Sequence, residues 1–246
     1  MRHLAIVRAA FVRATGVLRQ LDDAIMPLRC VFCGTRLRQT EGRICGGCNR
    51  DLPWIGNACA RCAEPVAVEL PSAVHCAACQ KREPLVEMTV TPLLYEFPVD
   101  AGLKALKFGR RLYYAPAFGE LLLAQMPRLP RDLDALLPVP LHWRRQAFRG
   151  FNQAVELCKP LARRHGLPII RSVVRRRATP YQSGLTAVLR RKNLRRAFVA
   201  RNRLLFRHVL IVDDVVTTGE TTRQLAATLI ESGVRKVSVL AVARAV

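Results

Sequence analysis

The amino-acid sequence predicts an α/β protein: a mostly parallel sheet with helices on both faces, preceded by a small domain organised by cysteines. Three observations carry that expectation. Cysteines at C-x-x-C spacing are confined to residues 30–79. After Pro84, apolar runs short enough for strands alternate with stretches of helical period, the pattern of a parallel sheet covered by its crossover helices. Half of the 246 residues are hydrophobic, enough to build a core in one domain with a small attachment. The expected boundaries are 1–28 for an N-terminal amphipathic helix, 29–84 for the cysteine domain and 85–246 for the sheet domain.

Between Met1 and Pro27, Leu4, Val7, Phe11, Leu18, Leu21 and Ile25 fall roughly on one helical face with arginines between them. Arg8 and Arg13 interrupt the apolar core that a signal peptide needs, and no run reaches the ~20 apolar residues of a membrane span. A helix that packs or lies on a surface is expected here, in a cytoplasmic protein.

The next element is a double zinc ribbon. Cys30/Cys33, Cys45/Cys48, Cys59/Cys62 and Cys76/Cys79 form four C-x-x-C pairs, with 11 residues inside the first pair of pairs and 13 inside the second. Two residues between thiols make a tight knuckle that aims both sulfurs at one tetrahedral ion, and two knuckles complete a four-cysteine site. Disulfides are the alternative, but without an export signal the compartment is reducing. The 50 residues from Cys30 to Cys79 bury little, whereas structural zinc contributes ~10–16 kcal/mol of folding free energy. Sequential pairing of the knuckles is the simplest arrangement; an interleaved one is also compatible with the spacing. His75 becomes a ligand only by displacing a cysteine. Four-thiolate sites leave no open position, so both are read as structural. Cys158, on the apolar face of a helix expected from Asn152 to His165, reads as a small buried hydrophobe.

In the sheet domain, strands are expected near 89–97, 134–139, 168–174, 208–213 and 236–242, and helices near 99–108, 113–126, 152–165 and 220–232. Ligands of such sheets bind outside the carboxyl ends of the strands. Two loops sit there. One follows "DALLPVPLH", where Pro138 and Pro140 constrain the chain as it leaves the sheet towards a helix that Asn152 caps. The other follows "HVLIV", whose end Asp213 and Asp214 mark, and runs through "VTTGET" into a helix starting near Glu220. A glycine-containing, hydroxyl-rich turn at a helix N-terminus cradles an anion. Carboxylates just before it would repel a phosphate and suit vicinal hydroxyls. Local chemistry therefore suggests phosphate plus ribose.

The net charge of +22 favours polyanionic partners or a phosphate-rich ligand, unless it only decorates a solvated surface. It is concentrated: Ala135 to Val212 holds 18 Lys and Arg against the single acid Glu156.

These segments resemble a known family. Four cysteine knuckles, then "LKALKFGRR", "PVPLHWRRQAFRGFNQA", "TPYQSGLTAVLRRKNLRRAF" and "VLIVDDVVTTGETT", follow the order of the ComF family, competence-associated proteins with a type I phosphoribosyltransferase-like domain related to amidophosphoribosyltransferases. The resemblance covers nearly the whole chain after about Ala24. It implies a site for phosphoribosyl pyrophosphate (PRPP) with Mg²⁺. Asp213 and Asp214 would hold the ribose hydroxyls, and Thr217, Thr218, Gly219, Glu220 and Thr221 the 5′-phosphate. Pro138, Val139, Pro140 and Leu141 stand in the pyrophosphate loop, with Arg149 and Asn152 close by. Leu141 and His142 replace the acid and serine usual in amidophosphoribosyltransferases, so the pyrophosphate contacts differ. The basic block from Arg175 to Arg196, with Arg191, Lys192 and Arg195, matches the lid that closes over the ligand. No residue is assigned as catalytic, and Lys107 either lines the site or is a surface lysine. The implied activities are phosphoribosyl transfer to an unidentified nitrogen acceptor, or a non-catalytic role in transformation on single-stranded DNA or a helicase or recombination-loading partner.

Overall fold

In the computed structural model the chain forms two compact units, Met1–Asp51 and Leu52–Val246, and the structure describes residues 28–38, 42–68, 75–81, 84–176 and 197–246. Residues 1–27 of the expected N-terminal helix, and Arg191, Lys192 and Arg195, lie outside the described residues.

The described part of the first unit is two cysteine knuckles, the second opening a short helix. Arg29 bridges Arg36, and the amide of Cys30 donates to Thr35 O (2.8 Å) while Gly34 turns the chain at φ 75°. Helix α1 (Gly46–Arg50) is capped by the Cys45 side chain, which accepts from the Cys48 amide.

The same pattern recurs at the start of the second unit. Ala58 bridges Pro65, the Cys59 amide donates to Glu64 O (2.9 Å), and α2 (Ala77–Gln80) follows Cys76. Ala63 takes the place of Gly34 and adopts φ 56°, a left-handed conformation that costs an L-residue ~1–2 kcal/mol. Repeating the knuckle geometry at that cost indicates that it is set by the four sulfurs and not by the turn residue.

The sheet consists of β1 (Met88–Val90), β2 (Leu93–Leu94), β3 (Ala135–Pro138), β6 (His208–Val216) and β7 (Lys236–Arg244), in the order β1–β7–β6–β3 with β2 also on β7, and every pairing is parallel. β6 and β7 read as almost continuous apolar runs because a central parallel strand is covered on both faces. Helices α3 (Val99–Lys107), α4 (Tyr114–Gln125), α5 (Trp143–Arg149), α6 (Gln153–His165) and α7 (Glu220–Glu231) connect the strands. Leu225, Ala226 and Leu229 of α7 pack with Val209, Ile211, Val237 and Val239. The alternate residues Leu210, Val212, Leu240 and Val242 face the other side, where α4 and α6 pack on each other and on the sheet.

Four expectations change in detail. The strand over 89–97 divides into β1 and β2 at Pro92, which has no N–H for the ladder; its carbonyl instead accepts from Ile55 (2.9 Å), and Trp54 bridges Leu93. The strand over 168–174 becomes one parallel bridge, Ile169 to Leu136, followed by β4 (Val173–Arg175), which pairs antiparallel with β5 (Phe198–Ala200). β5 escapes the pattern search because three residues among arginines carry no period. Helix α5 was also unexpected; His142 Nδ1 accepts from the Arg144 amide (3.3 Å) at its start, and Gly150 at φ 85° ends it. Finally, β6 runs three residues further than expected, to Val216.

Helices α4 and α6 approach closely because Gly119 faces Pro160, where an added Cβ would lie 2.7 Å from Pro160 Cγ. Alanine is favoured over glycine in a helix by ~1 kcal/mol, but a rigid ring that cannot yield reverses the sign, since overpacking costs ~1–3 kcal/mol. Gly119→Ala should therefore lower the thermal midpoint by about 2–8 °C in a calorimetric scan; an increase would show that the helices separate freely.

Candidate functional site

The cysteines group in sequential order. Among the described residues, Cys30, Cys33, Cys45 and Cys48 form one cluster and Cys59, Cys62, Cys76 and Cys79 another, with the sulfurs of each within 4.8 Å of one another. The interleaved pairing is excluded, and His75 belongs to neither cluster. Four sulfurs at ~2.3 Å from a zinc ion stand about 3.8 Å apart in a tetrahedron. Cys33 and Cys45 are separated by 3.7 Å and Cys62 and Cys76 by 3.6 Å, so both sites fit the ion. Amides support the sulfurs: Cys45 N–H donates to Cys30 Sγ and Cys76 N–H to Cys59 Sγ, both at 3.4 Å. All four ligands are protein thiolates, which leaves zinc a structural role.

The second cluster is fastened to the sheet. Thr89 of β1 donates through Oγ1 to Arg61 O (2.7 Å) and through its amide to Ala60 O (2.8 Å). Arg244, at the end of β7, forms an ion pair with Glu64, and Arg61 Nη1 donates to Cys79 O (3.1 Å). Arg61, Cys62 and Cys79 line a small cavity together with Thr218, Gly219 and Thr222. This ribbon thus lies directly beside the turn that leads into α7.

At the carboxyl end of β6, Asp213 and Asp214 lie within the strand and are 8% and 3% exposed. The two neighbouring side chains are close enough to interact with each other. Asp214 is met by Lys107 Nζ, the last residue of α3, in an ion pair at Oδ2, and by Gln153 Nε2, the first residue of α6, at Oδ1 (3.3 Å). Arg149 at the end of α5 donates to Gln153 Oε1, and its guanidinium lies 5.6 Å from the Phe108 ring centroid. Asp213 Oδ1 accepts from the Asp214 amide (2.8 Å), and Asp213 feels the charge of Arg175, which has Arg145 beside it.

Environment separates the two acids. Burial and the neighbouring Asp214 charge push Asp213 well above the usual carboxylate range. Burial acts upward on Asp214 as well, but the Lys107 charge with the bonds from Asp213 and Gln153 outweighs it and holds Asp214 below its ordinary value. The surroundings thus push the two neighbours in opposite directions, and Lys107 supplies the ammonium that meets Asp214.

The turn after β6 leaves Thr217 and Thr218 exposed and Gly219 in a left-handed conformation, φ 72°, as the N-cap of α7. Thr218 Oγ1 accepts from the Glu220 amide (3.4 Å). Glu220 is buried and accepts from Gln224 (2.9 Å), so its backbone, not its carboxylate, faces the turn. Thr221 is half-buried.

The loop after β3 is held to both neighbours. Val139 donates to Val212 O (2.9 Å), Asn152 Nδ2 donates to Val139 O (3.0 Å), and Asn152 Oδ1 accepts from Ala154 to cap α6. Pro138, Pro140, Phe151, Arg171, Arg175 and Arg201 line an open groove of about 980 Å³ with Leu141 and Asn152. Cys158 is fully buried in α6 and burial pushes its thiol far up, so it is not a nucleophile.

The site thus gathers Asp213, Asp214, the 217–221 turn and the Pro138–Leu141 loop at one end of the sheet. Sequence reasoning did not anticipate Gln153 and Arg145 beside the acids, and it placed Arg175 only as the first residue of the basic block from Arg175 to Arg196. Gln153 follows the cap Asn152 and so enters the site as the first helical residue; Arg175 ends a strand that periodicity did not define. Lys107, expected either to line the site or to lie on the surface, is partly buried and pairs with Asp214.

Residues 21–80 match the double zinc ribbon domain. The "DNA utilization protein YhgH" of Escherichia coli strain K12 is 36% identical over 225 residues, which cover 89% of this chain and 98% of the relative. "Competence protein F" of Haemophilus influenzae is 32% identical over 226 residues, covering 88% and 97%. Among solved structures, the glutamine PRPP amidotransferase of B. subtilis complexed with ADP and GMP aligns with 57% of this chain and 30% of its own, at 20% identity and a TM-score of 0.39. The purine phosphoribosyltransferase of Pyrococcus horikoshii Ot3 aligns with 54% and 83%, at 14% identity and a TM-score of 0.33.

Atomic emission on purified protein should find about two zinc ions per chain, one for each four-thiolate cluster. Cys30→Ser and Cys59→Ser should each remove one, and Cys59→Ser should also lower the melting point of the sheet unit to which its ribbon is bonded. Zinc content unchanged in either variant would contradict the two-site assignment.

Proposed function

Because this chain belongs to the ComF family of competence and DNA-utilization proteins, we propose that it acts in DNA uptake or utilization through a site for a phosphoribosyl ligand, PRPP bound with Mg²⁺. The observation that carries the reading is the pair of functions at the end of β6: buried carboxyl groups, then an exposed Thr-Thr-Gly turn at the N-terminus of a 12-residue helix. In this reading Asp213 and Asp214 face the ribose hydroxyls. The amides of residues 217–221, the threonine hydroxyls and the helix dipole take the 5′-phosphate. The Pro138–Leu141 loop, with Arg149 and Asn152 behind it, borders the pyrophosphate. Mg²⁺ bound with the ligand would add neutralisation of its pyrophosphate charge. Arg191, Lys192 and Arg195, which lie outside the described residues, are proposed to add positive charge at the leaving group.

The reaction that fits is attack of a nitrogen acceptor on ribose C1 as the C1–O bond to pyrophosphate breaks. The developing charge lies on the leaving group, so arginines suffice and no covalent nucleophile is needed. The protein works in the reducing cytoplasm, where all eight thiolates are available to zinc.

One further observation supports contact with single-stranded DNA. Although aromatic residues make up only 6% of the chain, three are exposed beside arginines: Phe108 at 63%, Trp143 at 65% and Phe148 at 82%. Arg144 lies 5.3 Å from the Trp143 ring centroid, and Arg110 donates to Phe148 O (2.8 Å). Unpaired bases stack on such rings while guanidinium groups meet phosphates. The ribbons are then left to dock a helicase or recombination-loading protein.

Titration calorimetry should detect PRPP binding that requires Mg²⁺ and disappears in Asp213→Ala/Asp214→Ala; equal affinity in the double variant would sink the site assignment. Pyrophosphate release with a panel of bases and amines reports turnover. For DNA, anisotropy of a labelled oligothymidylate should weaken steeply between 50 and 200 mM salt. Trp143→Ala or Phe148→Ala should each cost about tenfold or more in affinity. Binding indifferent to salt and to both substitutions would remove this second reading.

A further inference from the structure

Lys107 is 14% exposed in its side chain and Asp214 5%, and the two form an ion pair. A lysine is almost never buried unless paired, so the pairing accounts for its position. Lys107 ends α3, where a cation also faces the negative end of the helix dipole. The pair is braced on every side. Gln153 of α6 donates to Asp214 Oδ1, Arg149 of α5 donates to Gln153, and Arg149 lies over Phe108, the residue after Lys107. The charged groups that face the two acids are therefore Lys107 from α3, Arg149 through Gln153, and Arg175 of β4 with Arg145 of α5 on the Asp213 side.

We propose that Lys107 is a positioning residue of the phosphoribosyl site: its ammonium, paired with Asp214 Oδ2 while Gln153 holds Oδ1, fixes Asp214 as a hydrogen-bond acceptor for the ribose hydroxyls. The inference rests on the reading of the site given above. Lys107 need not touch the ligand. The hydroxyls of a vicinal diol donate, and a carboxylate held in place by a cation accepts from them. Two equivalent buried acids without a cation would share protons, and the acceptor would be lost first on the acidic side.

The sign of the pH effect follows. A carboxyl group whose folded value is depressed stays ionised as pH falls towards that value, so wild type keeps the acceptor through pH 5.5–8.5. Without the Lys107 charge, burial dominates and Asp214 rises, so binding should weaken as pH falls.

The test compares Mg²⁺–PRPP affinity of wild type, Lys107→Met and Lys107→Arg by calorimetry from pH 5.5 to 8.5. Each value is expressed as a ratio to wild type at the same pH, which cancels the ligand's own phosphate titration. The Lys107→Met ratio should worsen by about tenfold for each unit by which Asp214 rises into this window, and Lys107→Arg should stay near one. A loss of equal size at every pH, or no loss, overturns the proposal. If Lys107→Met does not fold by far-UV dichroism, Lys107→Gln, which keeps a hydrogen-bond donor without charge, replaces it. If wild type itself binds no PRPP, the reading of the site fails, and Lys107 is then judged on free protein. Carboxyl ¹³C titration should show the Asp214 midpoint rising in Lys107→Met and returning in Lys107→Arg; an unmoved midpoint overturns the proposal independently of any ligand.

Discussion

A carboxylate inside an apolar parallel sheet remains ionised only if a cation reaches it, and Lys107 does so for Asp214. This one neutralisation ties together the elements that build the site. It draws the end of α3 onto β6, makes Gln153 the first turn of α6, and sets Arg149 at the end of α5 over the same spot. Removing one partner of a buried pair typically costs ~3–5 kcal/mol because the other charge is left uncompensated. The carboxyl end of β6 can therefore hold two adjacent acids only because three helices supply their complement. The acids in turn are pushed in opposite directions, Asp213 upward by burial and the Asp214 charge, Asp214 downward against burial by Lys107.

The ribbons meet a different constraint. A knuckle buries few apolar groups, so its free energy must come from the metal. Both clusters have sulfur separations that a tetrahedral zinc ion would span, and the backbone accepts a left-handed alanine to keep that geometry. The second ribbon has an additional role in the architecture. Through Thr89, Arg244 and the small cavity beside Thr218 and Gly219, it forms a wall of the turn at the start of α7. Zinc in that ribbon therefore supports the same end of the sheet that carries the acids.

The excess positive charge does not act as one field. Part of it is consumed internally: Lys107 on Asp214, Arg244 on Glu64, Arg175 towards Asp213. Another part lines the groove beside the Pro138–Leu141 loop. A third part stands beside exposed rings at Phe108, Trp143 and Phe148. Net charge alone cannot distinguish these uses, since it records neither burial nor partner.

The eight cysteine positions, the apolar runs of β6 and β7, the Asn152 cap and the glycine turn before α7 were all legible in the chain, because each depends on spacing or on local backbone chemistry. The arrangement that gives Asp213 and Asp214 unlike surroundings was not. It needs Lys107 and Gln153, 107 and 61 residues from Asp214 along the chain respectively, counted as sequence separations of the contacts to that acid.

 Strand β5 and helix α5 were missed for a related reason, being too short to show a period and defined by partners elsewhere in the chain. The sequence by itself determined the zinc ligands, the strands and helices long enough to show a period and the carboxyl-end loops, since these follow from residues close together in the chain. Only the tertiary structure decided which cation meets Asp214 and in which direction each acid is pushed, because burial and charge pairing arise between segments that the fold brings together.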